Sequence, residues 1–293
     1  MALGTGVELE WAIVYHSLVR GGASPEEIKN RNKRAQGKIQ PYASINDQAI
    51  KAVKEVEGVI GKSNLKYCYH SDEYSGGITG IPEPKTDVVY DTKVKLYKCS
   101  VKMEGAVQLA SGQGKSTAQV FKLVAENVGS GNIPKNLKTL ISDLEGLPTR
   151  LASVSNIQRI KSNPKLAKEF IKGKSITRDK LYESWLENNK PAIMKSLMDY
   201  VQKDKEFAFA LIKEAMTGDL LFKNNKLAAA NYILTPNEFV PITDQYVRSK
   251  LSKIKLDIRA KSRSGVTSIA FRIDLKAWIY DNICDWWFGI YWF

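Results

Sequence analysis

Two short runs limit what this chain can fold into. Residues 86–90, TDVVY, are rich in β-branched and aromatic side chains, and residues 93–103, KVKLYKCSVKM, alternate polar and apolar side chains. A period of two puts alternate side chains on opposite faces of a strand. With Asp91 and Thr92 as the turn between them, the two runs predict a β-hairpin. A lone hairpin is at best marginal in water, so other elements must cover it. The sequence on both sides reads as helix, and the expected class is α/β, a mixed sheet flanked by helices.

Residues 7–20 have an amphipathic helical pattern. The next helix has a sharp start: Ser24 is its N-cap, Pro25 its first residue, and Glu27 completes a capping box. It carries Lys29, Arg31, Lys33, Arg34 and Lys38, which suit either a solvated face or contact with a DNA backbone. A third helix is expected from Asn46 to Ile60. At about 100° per residue, Ala49, Ile50, Val53, Val56 and Ile60 form its apolar arc. Glu57 falls inside that arc and Glu55 at its edge. A carboxylate facing a core is costly unless it is paired, reaches solvent or holds a metal.

After the hairpin, EGAVQLASGQG reads as a glycine-punctuated loop, with Ser116 or Thr117 capping a helix through STAQVFKLVAENV. Residues 135–216 are helical in period, with Gly218 as a stop. KIKLDIRA (253–260) and VTSIAFRI (266–273), joined by KSRSG, predict a second, basic hairpin. The expected organisation is 1–134 with the N-terminal helices and the sheet core, then 135–293 with a helical region and a basic β-rich C-terminal part. The two parts are expected to pack as one domain or to stand as two.

Charge narrows the partners. The 293 residues hold 44 Lys+Arg against 31 Asp+Glu, a net +13. That excess suits a polyanion, usually nucleic acid and sometimes an anionic membrane. Cys68, Cys99 and Cys284 lie far apart with no CxxC pair, which signals neither a zinc ribbon nor a disulfide framework. A cytoplasmic location is expected, including a host cytoplasm for a virus- or phage-encoded chain. No run reaches the roughly 18–20 apolar residues that span a bilayer, and Glu8 and Glu10 break the apolar N-terminal run, which reads as a helix rather than a signal peptide. The tail WIYDNICDWWFGIYWF, 278–293, suits a last core element or an anchor for a partner subunit. His16 and His70 are the two histidines, too few for a His-rich metal cluster, and YCYH at 67–70 reads as structural.

GQGKST at 112–117 looks like the phosphate loop of an ATPase. That motif needs a glycine five residues before Gly114, and Leu109 stands there. No nucleotide cofactor is expected.

The first hairpin carries better chemistry. Asp87 lies on one strand, and Ser100 and Lys102 share a face of the next. A carboxylate suits a hard divalent cation, Mg²⁺ or Mn²⁺, and a lysine beside it can orient a water or stabilise charge on a phosphate. Phosphodiester cleavage is the reaction such a pair serves. The glycines of QLASGQGKST allow close backbone approach to a phosphate, so Gln108, Ser111 and Lys115 are expected to touch DNA. Lys161 and Lys165, and Arg259 and Lys261, are expected to hold its backbone.

PKTDVVYDTKVKLYKCSVKMEG, 84–105, resembles the core motif of the PD-(D/E)xK nucleases, the restriction-endonuclease-like superfamily. The resemblance spans residues 46–128. Asp87 matches the first acid and Lys102 the lysine, while Ser100 stands where the family usually has Asp or Glu. Members with Ser-x-Lys recover the carboxylate from a helix, which implies Glu57 (or Glu55) before the hairpin or Glu126 after it, with Glu57 preferred. The resemblance further implies a restriction-endonuclease-like fold, the Val101 carbonyl as a metal ligand, and a homodimeric Mg²⁺-dependent endodeoxyribonuclease. The alternative is a non-catalytic DNA-binding or nucleoprotein component that keeps a degenerate nuclease fold.

Overall fold

The computed structural model describes residues 5–81, 84–103, 106–108, 114–129, 131–133, 135, 137–139, 141, 142, 145, 203–251, 255–263 and 266–274. In chain order the elements are α1 (Thr5–Arg20), α2 (Pro25–Arg34), α3 (Asn46–Ile60), β1 (Cys68–His70), β2 (Val88–Asp91), β3 (Leu96–Val101), β4 (Ala106–Gln108), α4 (Gly114–Val128), α5 (Lys205–Thr217), β5 (Tyr232–Thr235), β6 (Glu238–Pro241), α6 (Asp244–Lys250), β7 (Lys255–Arg263) and β8 (Val266–Asp274). Short 3-10 turns at Ala43–Ile45 and Lys62–Tyr67 enter α3 and β1. The contacts divide into two compact units, one of Met1–Ala106 with Met216–Ser249, the other of Val107–Ala215 with Lys250–Phe293.

The first unit is an α/β fold around a five-stranded sheet in the order β1-β2-β3-β5-β6. β3 and β5 run parallel and the other neighbours antiparallel, so the sheet is mixed. Val88 and Tyr90 of β2, Cys99 and Val101 of β3, and Tyr232 and Leu234 of β5 alternate into one core. Leu9, Trp11, Ile13 and Leu18 of α1, with Ala49, Ala52, Val53 and Val56 of α3, complete it. The Tyr90 hydroxyl is satisfied inside this core by Ser17 Oγ at 2.8 Å.

Several local expectations hold. Ser24 Oγ caps α2 by accepting from the Glu27 amide at 3.1 Å, with Pro25 at the first position. α3 spans Asn46–Ile60. α5 ends at Thr217, where Gly218 takes φ +69, a conformation that favours glycine. A Cβ there would also lie 2.6 Å from Lys85 Cγ.

Others are corrected. The first hairpin turns over Thr92–Lys95, not at Asp91-Thr92: Asp91 pairs with Leu96, and Thr92 Oγ1 accepts from the Lys95 amide at 3.0 Å. α2 stops at Arg34 because Gln36 and Gly37 take φ +57 and +75. Arg31 does not lie on a solvated or DNA-facing surface. It is buried, donates to the Cys68 carbonyl at 2.6 Å, pairs with Glu73, and sits 4.4 Å from the Tyr69 ring centroid.

The second unit holds a three-stranded sheet in the order β4-β8-β7. Ala106–Gln108, expected within a loop, is the strand β4. Ser116 and Thr117 lie inside the first turn of α4 rather than at its cap, since the helix begins at Gly114. β7 and β8 form the expected basic hairpin, but their pairing continues to Arg263↔Val266, so KSRSG is mostly strand. Among the described residues, no helix is long and apolar enough to cross a membrane. Lys161, Lys165 and the aromatic tail lie outside the described residues.

Candidate active site

Asp87 precedes β2 by one residue, and its backbone is tied on both sides. Its amide donates to the Cys99 carbonyl at 2.8 Å, and its carbonyl accepts from the Ser71 amide at 3.0 Å. β2 and β3 pair Val88 with Cys99, so one further step of the antiparallel register sets Asp87 opposite Ser100. Side chains opposite one another lie within reach, and Asp87 Oδ2 collects three donors. The Val101 amide lies at 2.7 Å, Ser100 Oγ at 3.4 Å and Lys102 Nζ at 3.4 Å. The lysine is anchored from the far side, because its own amide donates to the Leu234 carbonyl of β5 at 2.9 Å.

Ser100 is buried and bonded to Asp87, so it adds a hydroxyl and no charge. The side chains of Asp87 and Lys102 are 19% and 23% exposed, reachable by a ligand yet partly desolvated.

The second carboxylate comes from α1. Burial, and after it the negative charge of Asp87, raise the pKa of Glu10 from 4.5 to about 6 against the opposing pull of His70 and Lys102. Glu10 thus sits in the field of both Asp87 and Lys102. Its Oε2 lies 2.9 Å from His70 Nε2. His70 stands on β1 opposite Val88, next to Asp87 in the sheet, and its ring stacks on Trp11 with centroids 3.9 Å apart and 11° between planes.

Glu57, the preferred carboxylate from the sequence, is placed elsewhere. It pairs with Arg20 at the C-terminal end of α1, roughly 15 Å along that helix from Glu10. The buried arc of α3 is Ala49, Ala52, Val53, Val56 and Ile60. The arc turns away from Ile50, which leaves Glu57 at its margin. Glu55 is exposed. Glu126 stands on α4 in the second unit. A pocket of about 360 Å³ adjoins Arg20 and is lined by His16, Val19, Arg20, Ile50, Val53 and Lys62, away from the Asp87 cluster.

Of the expected DNA contacts, Gln108 ends β4 and Lys115 lies in the first turn of α4. Arg259 and Lys261 stand two residues apart on β7, opposite Ala270 and Ser268. Ser111 lies outside the described residues.

Among the described residues, no three His, Cys, Asp or Glu side chains come together to hold a metal by themselves. Glu10 and Asp87 offer two partly buried carboxylates, a donor set that fits Mg²⁺, which commonly takes one or two carboxylates and fills its shell with waters and substrate phosphate oxygens. The sequence pointed to Asp87, Ser100 and Lys102 and missed Glu10 and His70. The signal for Glu10 was a carboxylate at the same heading around α1 as Ser17 and Val14, both inward on this helix. Comparison of the chain with family models, with curated proteins and with solved structures finds no match.

Proposed function

We propose that the first unit is a Mg²⁺-dependent endodeoxyribonuclease site of restriction-endonuclease-like type, built from Asp87, Lys102 and Glu10. The observation that carries this reading is the convergence of Val101 N, Ser100 Oγ and Lys102 Nζ on one oxygen of Asp87, with Glu10 in the same electrostatic field. Lysine and two carboxylates at one end of a mixed sheet form the set that phosphodiester cleavage needs. Glu10 takes the place that Ser100 leaves without a charge.

A cation held by Asp87 and Glu10, with the Val101 carbonyl assisting, would supply Lewis-acid stabilisation of the scissile phosphate. The chain's own residues do the rest. Asp87 holds Lys102 Nζ in place, and the ammonium orients the attacking water and faces the charge that grows on the phosphate oxygens. The water oxygen forms a bond to phosphorus as one ester P–O bond breaks. One water proton ends on the departing oxygen and the other leaves to solvent. The +13 net charge supports DNA as the substrate, with Gln108, Ser111, Lys115, Lys161, Lys165, Arg259 and Lys261 proposed as contacts. A homodimer would place one such site on each strand of a duplex.

The test is incubation of the purified chain with plasmid DNA and Mg²⁺ or Mn²⁺, beside Asp87→Ala and Lys102→Ala. Cleavage by the parent and loss in both variants supports the enzyme. Tight DNA binding without cleavage by the parent supports the alternative, a DNA-binding component with a degenerate site, which Ser100 in place of an acid favours.

A further inference from the structure

We infer that His70 is a positioning residue that fixes the Glu10 carboxylate for cleavage, an inference that rests on the proposed role of Glu10. Glu10 is 15% exposed and lies in the field of Asp87, so a free side chain there would turn toward solvent. His70 prevents that with a hydrogen bond from Nε2 to Glu10 Oε2 at 2.9 Å. The direction of the bond is set on the other side of the ring. The Asp72 amide donates to His70 Nδ1 at 3.0 Å, so Nδ1 carries a lone pair and the ring proton sits on Nε2.

The ring has little freedom. It is 4% exposed and stacked on Trp11, itself 1% exposed. Trp11 follows Glu10 in α1, so one turn of helix supplies both the carboxylate and the plate against which its partner rests. β1 carries the ring, and the next residue, Ser71, donates its amide to the Asp87 carbonyl at 3.0 Å. β1 and the residue that follows it therefore hold both carboxylates, Glu10 through the His70 side chain and Asp87 through the Ser71 backbone. A histidine that merely filled the core would need neither a fixed tautomer nor a carboxylate partner. Loss of a group that hydrogen-bonds a ligating side chain typically costs about 10–100-fold in metal affinity.

The test uses the full chain. Without metal, ¹⁵N NMR of the His70 ring should show a protonated Nε2 and an unprotonated Nδ1. Calorimetry with Mn²⁺ should then show about tenfold or greater weakening in His70→Leu. His70→Gln, whose amide can still donate to Glu10, should stay close to the parent. Cleavage kcat should fall in His70→Leu while KM for DNA stays unchanged. If His70→Leu fails to fold, His70→Asn, which keeps a polar group but stops short of Glu10, takes its place with the same expectations. Parent-like Mn²⁺ affinity and kcat in a folded Leu or Asn variant overturn the role of His70 alone, as does a ring proton on Nδ1 or failure of Gln to rescue. A parent that neither binds Mn²⁺ nor cleaves DNA overturns the proposed function, and the role of His70 with it.

Discussion

Glu10 holds a position that the proposed function uses and that costs stability. Desolvation, and then the charge of Asp87, raise its pKa from 4.5 to about 6. A raised carboxylate pKa means the folded state binds more protons than the unfolded state between those values. Stability from this group is therefore greatest below about pH 4.5 and falls as pH rises to about 6. Above pH 6 the cost is about 2 kcal/mol. Glu10→Gln keeps the shape, accepts from His70 and removes the charge. Urea unfolding in EDTA at pH 8 should show the variant more stable than the parent by about that amount, with the gap closing toward pH 4.5. Parallel stability curves across that window would contradict the burial of an ionised Glu10. Glu57 is the opposite case. Its partner Arg20 has a side chain 44% exposed. Glu57→Ala should change stability by less than about 1 kcal/mol, measured by the same unfolding.

The strands show which elements were legible in the sequence. β2 and β3 were visible because Val88, Val89 and Tyr90 and the alternation of Leu96–Val101 are strong local signals. β1 was not, because three residues are too short for a period. β5 and β6 were missed as well, although Tyr232–Thr235 and Glu238–Pro241 flank a turn in which Thr235 Oγ1 accepts from the amides of Asn237 and Glu238, each at 3.1 Å. The sequence favours Glu57 because the apolar arc of α3, read locally, extends to Ile50, whereas packing against α1 and the sheet shifts it toward Ala52 and centres it near Ala49 and Val56. That centre depends on a tertiary contact that no local pattern contains. β1 and β3 flank β2 and bury Cys68 and Cys99 beside Tyr90 and Val88. Burial pushes the Cys68 thiol up to about 12 and the Cys99 thiol well above its usual range. Neither should react with a thiol reagent at pH 8 until the chain is unfolded. Fast labelling of either in the native protein would contradict the packing of this sheet. Tyr90→Phe removes the tyrosine partner of the fully buried Ser17 hydroxyl, leaving it the weaker Cys68 thiol, and should cost about 1–3 kcal/mol in thermal or urea unfolding.

At the scale of the whole molecule, one unit gathers Glu10, His70, Asp87, Ser100 and Lys102 from α1 and neighbouring strands, and the chain carries +13. The charge was legible from composition. The gathering was not, because Glu10 lies far in sequence from Asp87 and meets it only when α1 packs on the sheet. Binding to DNA by this charge should weaken steeply with salt, with log affinity falling linearly in log salt. Replacing one contacting lysine, such as Lys261→Ala, should reduce that slope by about one. A slope that stays flat from low to moderate salt contradicts a phosphate-backbone partner. The most direct measurement is single-turnover cleavage of plasmid DNA by the parent, Glu10→Ala and Glu57→Ala, each with Mg²⁺ and with EDTA. The predicted result is Mg²⁺-dependent cleavage by the parent, a rate within about twofold of it for Glu57→Ala, and a loss of at least about a hundredfold for Glu10→Ala. Full cleavage by Glu10→Ala, or loss in Glu57→Ala alone, would contradict it.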